Sequence, residues 1–282
     1  MSVEQTEWGA AMSELTVPMR PKVSVGDIDL AYTTTKDGVS KVLDGVSLHA
    51  RAGEFISIIG PSGCGKSSLF NVLAGLLHPD AGTICVDGET AIGATEHFAY
   101  MPQNDLLLPW RDVLDNTILG LEVQGVSRRI ARERARELLP VFGLEGFAHS
   151  RPSALSGGMR QRAALLRTVL TGREVLLLDE PFGALDSLTR KQMQDWLAQL
   201  LLERSWTVVL ITHDIDEAIL LSDRIYVLTS RPARVREVLE VNLPRPRTVA
   251  STEEPEFLSI RRALIAALVA GHDDTSKEMS RR

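Results

Sequence analysis

A glycine-rich loop in the first third of the chain has the residue types needed to hold phosphate. Residues 60–68 match G-x-x-x-x-G-K-[ST], after the apolar run 55–59 and before a predicted helix at 66–77. Glycines let backbone N–H groups surround phosphate oxygens, and a helix N-terminus favours negative charge. Lys66 is predicted to reach the β- and γ-phosphates, and the Ser67 hydroxyl to ligate Mg²⁺. The predicted nucleoside triphosphate site comprises Gly60, Pro61, Ser62, Gly63, Cys64, Gly65, Lys66, Ser67 and Ser68.

Three more polar side chains follow predicted buried strands. Asp179 and Glu180 end the run Val-Leu-Leu-Leu, and His213 comes just after the apolar residues 208–211. Because they lie beside a phosphate loop, Asp179 is predicted to bind Mg²⁺, and Glu180 is predicted to polarise the attacking water as general base. His213 is predicted to contact the γ-phosphate. The alternatives are a strand end that caps the next segment, a surface histidine, and, for Cys64, a catalytic thiol.

The elements around these residues alternate between strands and helices. Such alternation predicts an α/β fold with a mostly parallel sheet. Short strand patterns lie at residues 28–32 and 42–48, a strand-turn-strand pattern lies at 83–101, and helical periodicity dominates residues 104–173, which predicts a helical insertion. We predict a flexible leader at 1–22, a domain at 23–242 and a tail at 243–282 that carries a helix at 254–270.

Composition excludes several classes of protein. The chain has 282 residues, 44% of them hydrophobic, which is ample for a packed core. Its net charge of −6 argues against a nucleic-acid partner. No apolar run approaches the roughly 18 to 20 residues that cross a bilayer. The N-terminal residues contain no apolar segment typical of a secretory signal, so we expect residence in the cytosol with Cys64 and Cys85 as free thiols.

Six motifs together resemble the ATP-binding subunit of an ABC transporter, over about residues 23–242. They are the phosphate loop, Tyr-Met-Pro-Gln103, Leu-Ser156-Gly157-Gly158-Met-Arg-Gln, Leu-Asp179-Glu180, Gly-Ala-Leu-Asp186 and His213. The resemblance implies a P-loop NTPase with a RecA-like core of mostly parallel strands, an antiparallel β subdomain and a helical insertion subdomain, which hydrolyses ATP with Mg²⁺. Met159 departs from the family, in which many members have Gln at this position.

The resemblance also implies roles for residues outside the loop. Ser156, Gly157 and Gly158 would contact the γ-phosphate held by a second, identical ATPase subunit, so two chains would pair head to tail. Asp186 would lie at the seam between them. Gln103 would reach Mg²⁺ and the attacking water, and Tyr32 would stack on adenine, although the stretch 33–40 is longer than usual.

The stretch after Gln103 points to membrane partners. Leu106, Leu107, Leu108 and Trp110 fit either the core of the insertion or a groove that receives a helix from a membrane subunit. This stretch, residues 180–186 and the Arg231-Pro232 tail together most resemble importers of the nitrate, sulfonate and taurine type. Importers of pyrimidine precursors of thiamine are similar, so the resemblance leaves the cargo open. The resemblance implies two membrane permease subunits, a solute-binding protein as indirect partner, and a place at the cytoplasmic face of the inner membrane. An exporter, a lipid-trafficking complex and a non-transport ATPase are the alternatives.

Two predicted helices have alternative roles. Residues 127–136 contain five arginines, which fit a solvated face with Ile130, Leu138, Leu139 and Phe142 pointing inward, or a contact with anionic lipid. In the final helix, Phe257, Ile260, Leu264 and Leu268 form a stripe that fits packing on the chain's own sheet or a docking role.

Overall fold

A six-stranded sheet lies at the centre of the computed structural model, which describes residues 20–34, 38–202 and 205–279. With strands numbered in chain order, its members are β3 (Phe55–Ile59), β6 (Phe98–Met101), β7 (Val175–Asp179), β8 (Thr207–Ile211), β9 (Arg224–Leu228) and β10 (Val235–Glu240). Their order is β10-β9-β3-β8-β7-β6, and all neighbours are parallel except β10 and β9. Helices cover one face of this sheet, and the helix after β3 together with a second sheet covers the other, so β3, β7, β8 and β9 are buried at every residue.

A second, antiparallel sheet lies against the first. It has the order β2-β1-β4-β5, with β1 (Val23–Thr34), β2 (Gly38–Ala50), β4 (Ala81–Val86) and β5 (Glu89–Thr90). The strands β1 and β2 are longer than the sequence pattern suggests, because they pair with each other as far as Thr34 and Gly38. The unusually long stretch 33–40 is therefore the end of a hairpin, of which residues 35–37 lie outside the described structure.

The described residues also form eight α-helices. They are α1 (Lys66–Leu73), α2 (Val113–Thr117), α3 (Leu119–Val123), α4 (Arg128–Leu138), α5 (Gly157–Val169), α6 (Ser187–Leu202), α7 (Ile215–Leu221) and α8 (Pro255–Met279). Three short 3₁₀ helices lie at Glu145–Phe147, Pro152–Ala154 and Val249–Glu253. The predicted α/β fold, with an antiparallel subdomain and a helical insertion, is confirmed. Within the insertion, however, the residues between Met101 and Val113 form no helix.

The helix α4 differs from the prediction in one residue. Leu139 and Phe142 are buried as predicted, and Leu138 is half-buried, but Ile130 is 37% exposed. The small residues Ala131 and Ala135 form the buried face instead, because α4 lies close to its neighbours. Arg128 and Arg132 form ion pairs with Asp115 on α2. Part of the arginine-rich face of α4 therefore contacts the neighbouring helix.

The final segment packs on the chain's own core. The strand β10, which the sequence pattern did not indicate, is followed by the buried Arg247, which donates hydrogen bonds to four backbone carbonyls. The helix α8 buries Phe257 and Leu264 against α7, β9 and β10, and so the predicted stripe packs on the sheet.

The predicted leader at 1–22 lies largely outside the described structure, which begins at residue 20. The division into leader, domain and tail stays a prediction. No helix in the described ranges combines the length and the apolar character that crossing a bilayer requires.

Candidate functional site

The loop at residues 60–68 connects the buried strand β3 to α1. Gly63 and Gly65 have φ angles of 73° and 125°, which favour glycine. A Cβ atom on Gly65 would lie 2.8 Å from Val42 of β2, so the loop also needs glycine for its close approach to the antiparallel sheet. The Lys66 ammonium donates to the carbonyls of Gly60 and Pro61 at 2.8 and 2.9 Å, and this curls its side chain over the loop.

The loop forms one side of a cavity of about 310 Å³. The predicted residues that line it are Tyr32, Ser62, Gly63, Gly65, Lys66, Ser67, Ser68, Gln103 and Glu180. Gly60, Pro61 and Cys64 are not among the lining residues. Cys64 is buried beneath the loop, and this burial raises the pKa of its thiol, so the structure gives no support to a catalytic thiol.

The carboxylate of Asp179 lies beneath the cavity at the end of β7. It is 3% exposed and is hydrogen-bonded to Ser67 and, at 3.5 Å, to the Tyr100 hydroxyl. Burial raises the pKa of the Asp179 carboxyl, and the Glu180 charge raises it further, while Ser67 and Lys66 lower it. Burial and Asp179 also raise the pKa of Tyr100 to about 12. The result is a pair of oxygen ligands, the Ser67 hydroxyl and the Asp179 carboxylate, side by side under the loop.

Glu180 lies between two other predicted residues. Gln103 Nε2 donates a hydrogen bond of 3.1 Å to Glu180 Oε2, and His213 Nδ1 lies 3.3 Å from the same oxygen. Glu180 has a φ angle of 45°, uncommon for a residue with a side chain, and its N–H donates to the Ile211 carbonyl of β8. Three chain segments thus meet at one carboxylate beside the phosphate loop.

Tyr32 lies on β1 and lines the same cavity. Its ring is 37% exposed, and its hydroxyl donates to Ser68 Oγ at 3.3 Å. An accessible aromatic ring beside the loop fits a base-stacking position, as the sequence suggests.

Ser156, Gly157, Gly158 and Asp186 are not among the residues that line this cavity. They form a separate group: Ser156 caps α5 by accepting from the Met159 N–H, and a Cβ atom on Gly158 would lie 2.9 Å from Thr189 of α6. Asp186 accepts from the N–H groups of Leu188 and Thr189 at the start of α6, and hydrogen bonds from the Thr189 side chain and from these N–H groups lower the pKa of its carboxyl. The start of α5 therefore packs directly against the segment that contains Asp186.

The segment after Gln103 is held against α5. Arg167 donates to the carbonyls of Asp105 and Leu106, and Arg160 Nε donates to the Asp105 carboxylate at 3.2 Å. Asn116 accepts from the Leu108 N–H and donates to the carbonyl of the same residue. This frame turns Leu107 into the core and leaves Leu106 60% and Trp110 69% exposed.

The structure adds residues that the sequence did not indicate. Val42 and Arg231 line the cavity, and nothing in the sequence alone shows that the segments after β1 and β9 meet there. Glu217 of α7 is fully buried behind His213, where burial raises the pKa of its carboxyl to about 8. Its Oε2 accepts from Thr212 Oγ1 at 2.5 Å, and its Oε1 has no hydrogen-bond partner among the described residues.

A family model described as "ABC transporter" matches residues 43–183. A putative ATP-binding protein of Brucella abortus is 41% identical over 262 residues, covering 93% of this chain and 99% of that protein. The chain belongs to the ABC transporter family. It is an ATP-binding ATPase coupled to transport.

Two relatives within this family have names that state a cargo. The formylaminopyrimidine import ATP-binding protein of Halalkalibacterium halodurans is 40% identical and covers 86% of this chain and 94% of its own length. A nitrate import ATP-binding protein of Synechococcus elongatus is 43% identical, but the match covers only 38% of that longer protein.

A solved ABC transporter cassette confirms the fold class. The dimeric structure of the bacterial cassette MJ0796 has a TM-score of 0.68 and 30% identity, and the match covers 79% of this chain and 100% of that one. A second structure of that cassette, a dimer bound to ADP and Pi, has the same TM-score.

Proposed function

We propose that this chain is the ATP-hydrolysing subunit of an ABC import complex and that two copies pair head to tail around two ATP molecules. The catalytic part of this proposal rests on Glu180. One of its carboxylate oxygens accepts a hydrogen bond from Gln103 and lies next to His213 at the edge of the phosphate cavity. A general base must reach the attacking water, which a carboxylate at the cavity wall can do.

The residues under the loop fit Mg²⁺. Mg²⁺ prefers hard oxygen ligands and usually takes only one or two from protein, with phosphates and water supplying the others. Ser67 and Asp179 offer such oxygens, and Gln103 offers a third group at the cavity wall. When bound, Mg²⁺ neutralises charge on the phosphates. Burial raises the pKa of the Asp179 carboxyl, and the Ser67 hydrogen bond and the Lys66 charge counteract this rise and favour the ionised form that a metal ligand needs.

The other residues in and beside the cavity have separate roles in binding and hydrolysis. Lys66 and the loop amides stabilise charge on the γ-phosphoryl group, and His213 supports the same transition state. Glu180 accepts the proton of the attacking water, while Gln103 and His213 hold its carboxylate in place. Tyr32 stacks on the adenine base.

Dimer formation explains why the group at Ser156 is separate from the cavity. Ser156, Gly157 and Gly158 present the N-terminus of α5, which is suited to an anion. In a head-to-tail pair they would complete the cavity of the second copy, and Asp186 would lie at the seam, against the start of α5. The matched cassette structures are dimeric, which supports this arrangement.

Coupling to membrane subunits depends on the segment after Gln103. This segment connects the Glu180 carboxylate to α5, and it exposes Leu106 and Trp110. Two exposed apolar side chains on a rigid frame suit a docking helix from each of two permease subunits. We place the complex at the cytoplasmic face of the inner membrane, with a solute-binding protein delivering a small solute. The names of the import relatives support a nitrate-like anion or a pyrimidine precursor.

The experiment that tests import is co-purification of the tagged chain from detergent-solubilised membranes. We expect two permease subunits in the complex, and ATP hydrolysis that increases when a solute-binding protein loaded with its solute is added. Capture of a permease whose ATP hydrolysis responds instead to a lipid or to a solute added on the ATPase side would indicate an exporter or a lipid-trafficking complex and overturn the import assignment.

A further inference from the structure

The loop that follows β9 leaves the sheet beside the phosphate loop. The strands β9 and β3 are parallel neighbours, with Val227 opposite Ile59. The segments that follow these two strands therefore leave the sheet at the same edge. A Cβ atom on Gly60 would lie 3.1 Å from Leu228. Ligands in open α/β sheets bind outside the carboxyl ends of the strands, which is this edge.

Backbone hydrogen bonds attach this loop to β2. Ala233 donates to the Val42 carbonyl at 2.8 Å, and the Asp44 N–H donates to the Ala233 carbonyl at 3.0 Å. Arg231 Nε donates to the Lys41 carbonyl at 3.3 Å. The base of the Arg231 side chain therefore has a fixed position along the outer side of β2.

Arg231 is exposed and lines the nucleotide cavity. Within the described ranges, Nε is the one guanidinium nitrogen with a hydrogen-bond partner, and no carboxylate forms an ion pair with it. The nearby Arg234 differs, because it forms an ion pair with Asp44. The remaining Arg231 N–H groups and both faces of its guanidinium plane are accessible to a ligand.

Tyr32 and Arg231 approach the cavity from the two sides of β2. Tyr32 belongs to β1 and pairs with Ser40, whereas the loop of Arg231 runs along the other edge at Lys41 and Leu43. Val42 lies between them, lines the same cavity and contacts the loop at Gly65. A planar ring above Val42 would thus have an aromatic side chain on one side and a guanidinium on the other.

We propose that Arg231 forms the second wall of the base site and stacks its guanidinium on the nucleotide base opposite Tyr32. A guanidinium stacks well on aromatic faces, which lysine does less effectively. This assignment rests on the nucleotide site of the proposed function and adds a residue from outside its motifs.

The test compares the full-length wild-type chain with Arg231→Ala, Arg231→Lys and the control Arg234→Ala. Calorimetric titration measures affinity for ATP and ADP, and competition measures affinity for inorganic triphosphate. We expect Arg231→Ala to weaken ATP and ADP binding equally, by about 2- to 5-fold, the range of an exposed cation–π contact. Inorganic triphosphate should bind as before. Arg231→Lys should give an intermediate loss, and Arg234→Ala should bind like wild type.

Two results would overturn the base-wall role: unchanged ATP affinity in Arg231→Ala, or an equal loss of triphosphate binding, which would indicate a phosphate contact. If Arg231→Ala does not fold, Arg231→Gln replaces it, because its amide can still donate to the Lys41 carbonyl. Failure of the wild-type chain to bind ATP would instead refute the nucleotide site itself.

Discussion

Gln103 Nε2 donates to Glu180 Oε2 at 3.1 Å, which connects the end of β6 to the end of its parallel neighbour β7. The same segment is held to α5 by Arg160 and Arg167. A shift of α5 would therefore be transmitted to the carboxylate that we assign as general base.

This link predicts the behaviour of Gln103→Ala. Removing the amide frees the Glu180 carboxylate while leaving the phosphate loop intact, so the ATP hydrolysis rate should fall by about 10-fold or more while ATP affinity changes little. Steady-state hydrolysis and calorimetric titration measure the two quantities. Gln124→Ala, at an exposed glutamine beyond α3, is the matched control. Equal losses in affinity and turnover would show that Gln103 contributes to binding and not to positioning.

The exposed pair Leu106 and Trp110 predicts a separable defect in assembly. The double change Leu106→Ala with Trp110→Ala should leave ATP hydrolysis by the isolated chain unchanged, because neither side chain lines the cavity. It should abolish or strongly reduce co-purification with the permease subunits. Val123→Ala removes a still more exposed apolar side chain from α3 and should have no effect. Normal co-purification of the double variant would place the docking surface elsewhere.

The separation of Ser156 from the cavity predicts complementation between defective chains. Lys66→Ala removes the phosphate ligand, and Ser156→Arg places a bulky cation where the second copy's nucleotide would approach. Each variant alone should be inactive, but a mixture should recover hydrolysis, because a mixed head-to-tail dimer retains one complete site. Ser153→Arg is the control for an added surface arginine. A mixture as inactive as its components would contradict a site shared between two chains.

The buried carboxyl of Glu217 predicts a pH-dependent stability. Its pKa is raised from 4.5 to about 8, so the folded protein retains a proton that the unfolded chain has lost. The proton-linked stabilisation is complete below pH 4.5, and stability falls by up to about 1.4 kcal/mol per pH unit as pH rises towards 8.

Glu217→Gln should remove this dependence, because the amide oxygen can still accept from Thr212 and carries no charge. Thermal unfolding from pH 5 to 9 should show the variant gaining stability over wild type as pH increases. The exposed Glu137→Gln should follow wild type at every pH. Parallel curves for Glu217→Gln and wild type would show that Glu217 is ionised in the folded protein.

The sequence predicts those features of the structure that depend on residues close to one another along the chain. The loop at 60–68 is a contiguous motif, and the helix predicted after it begins at Lys66 as α1, so both could be predicted from neighbouring residues. The position of Arg231 could not, because it depends on β9 pairing with β3 and on the loop bridging to β2. Ile130 was misassigned because α4 buries alanines at a close approach, which hydrophobicity alone does not indicate.

The central claim is that Glu180 acts as general base in ATP hydrolysis, and single-turnover hydrolysis by Glu180→Gln tests it most directly. The control is Glu174→Gln, an exposed carboxylate before the opposite end of β7. Glu180→Gln should bind ATP with affinity close to that of wild type while the rate of the chemical step falls by about 10²- to 10⁴-fold. A single-turnover rate equal to that of wild type would contradict the account.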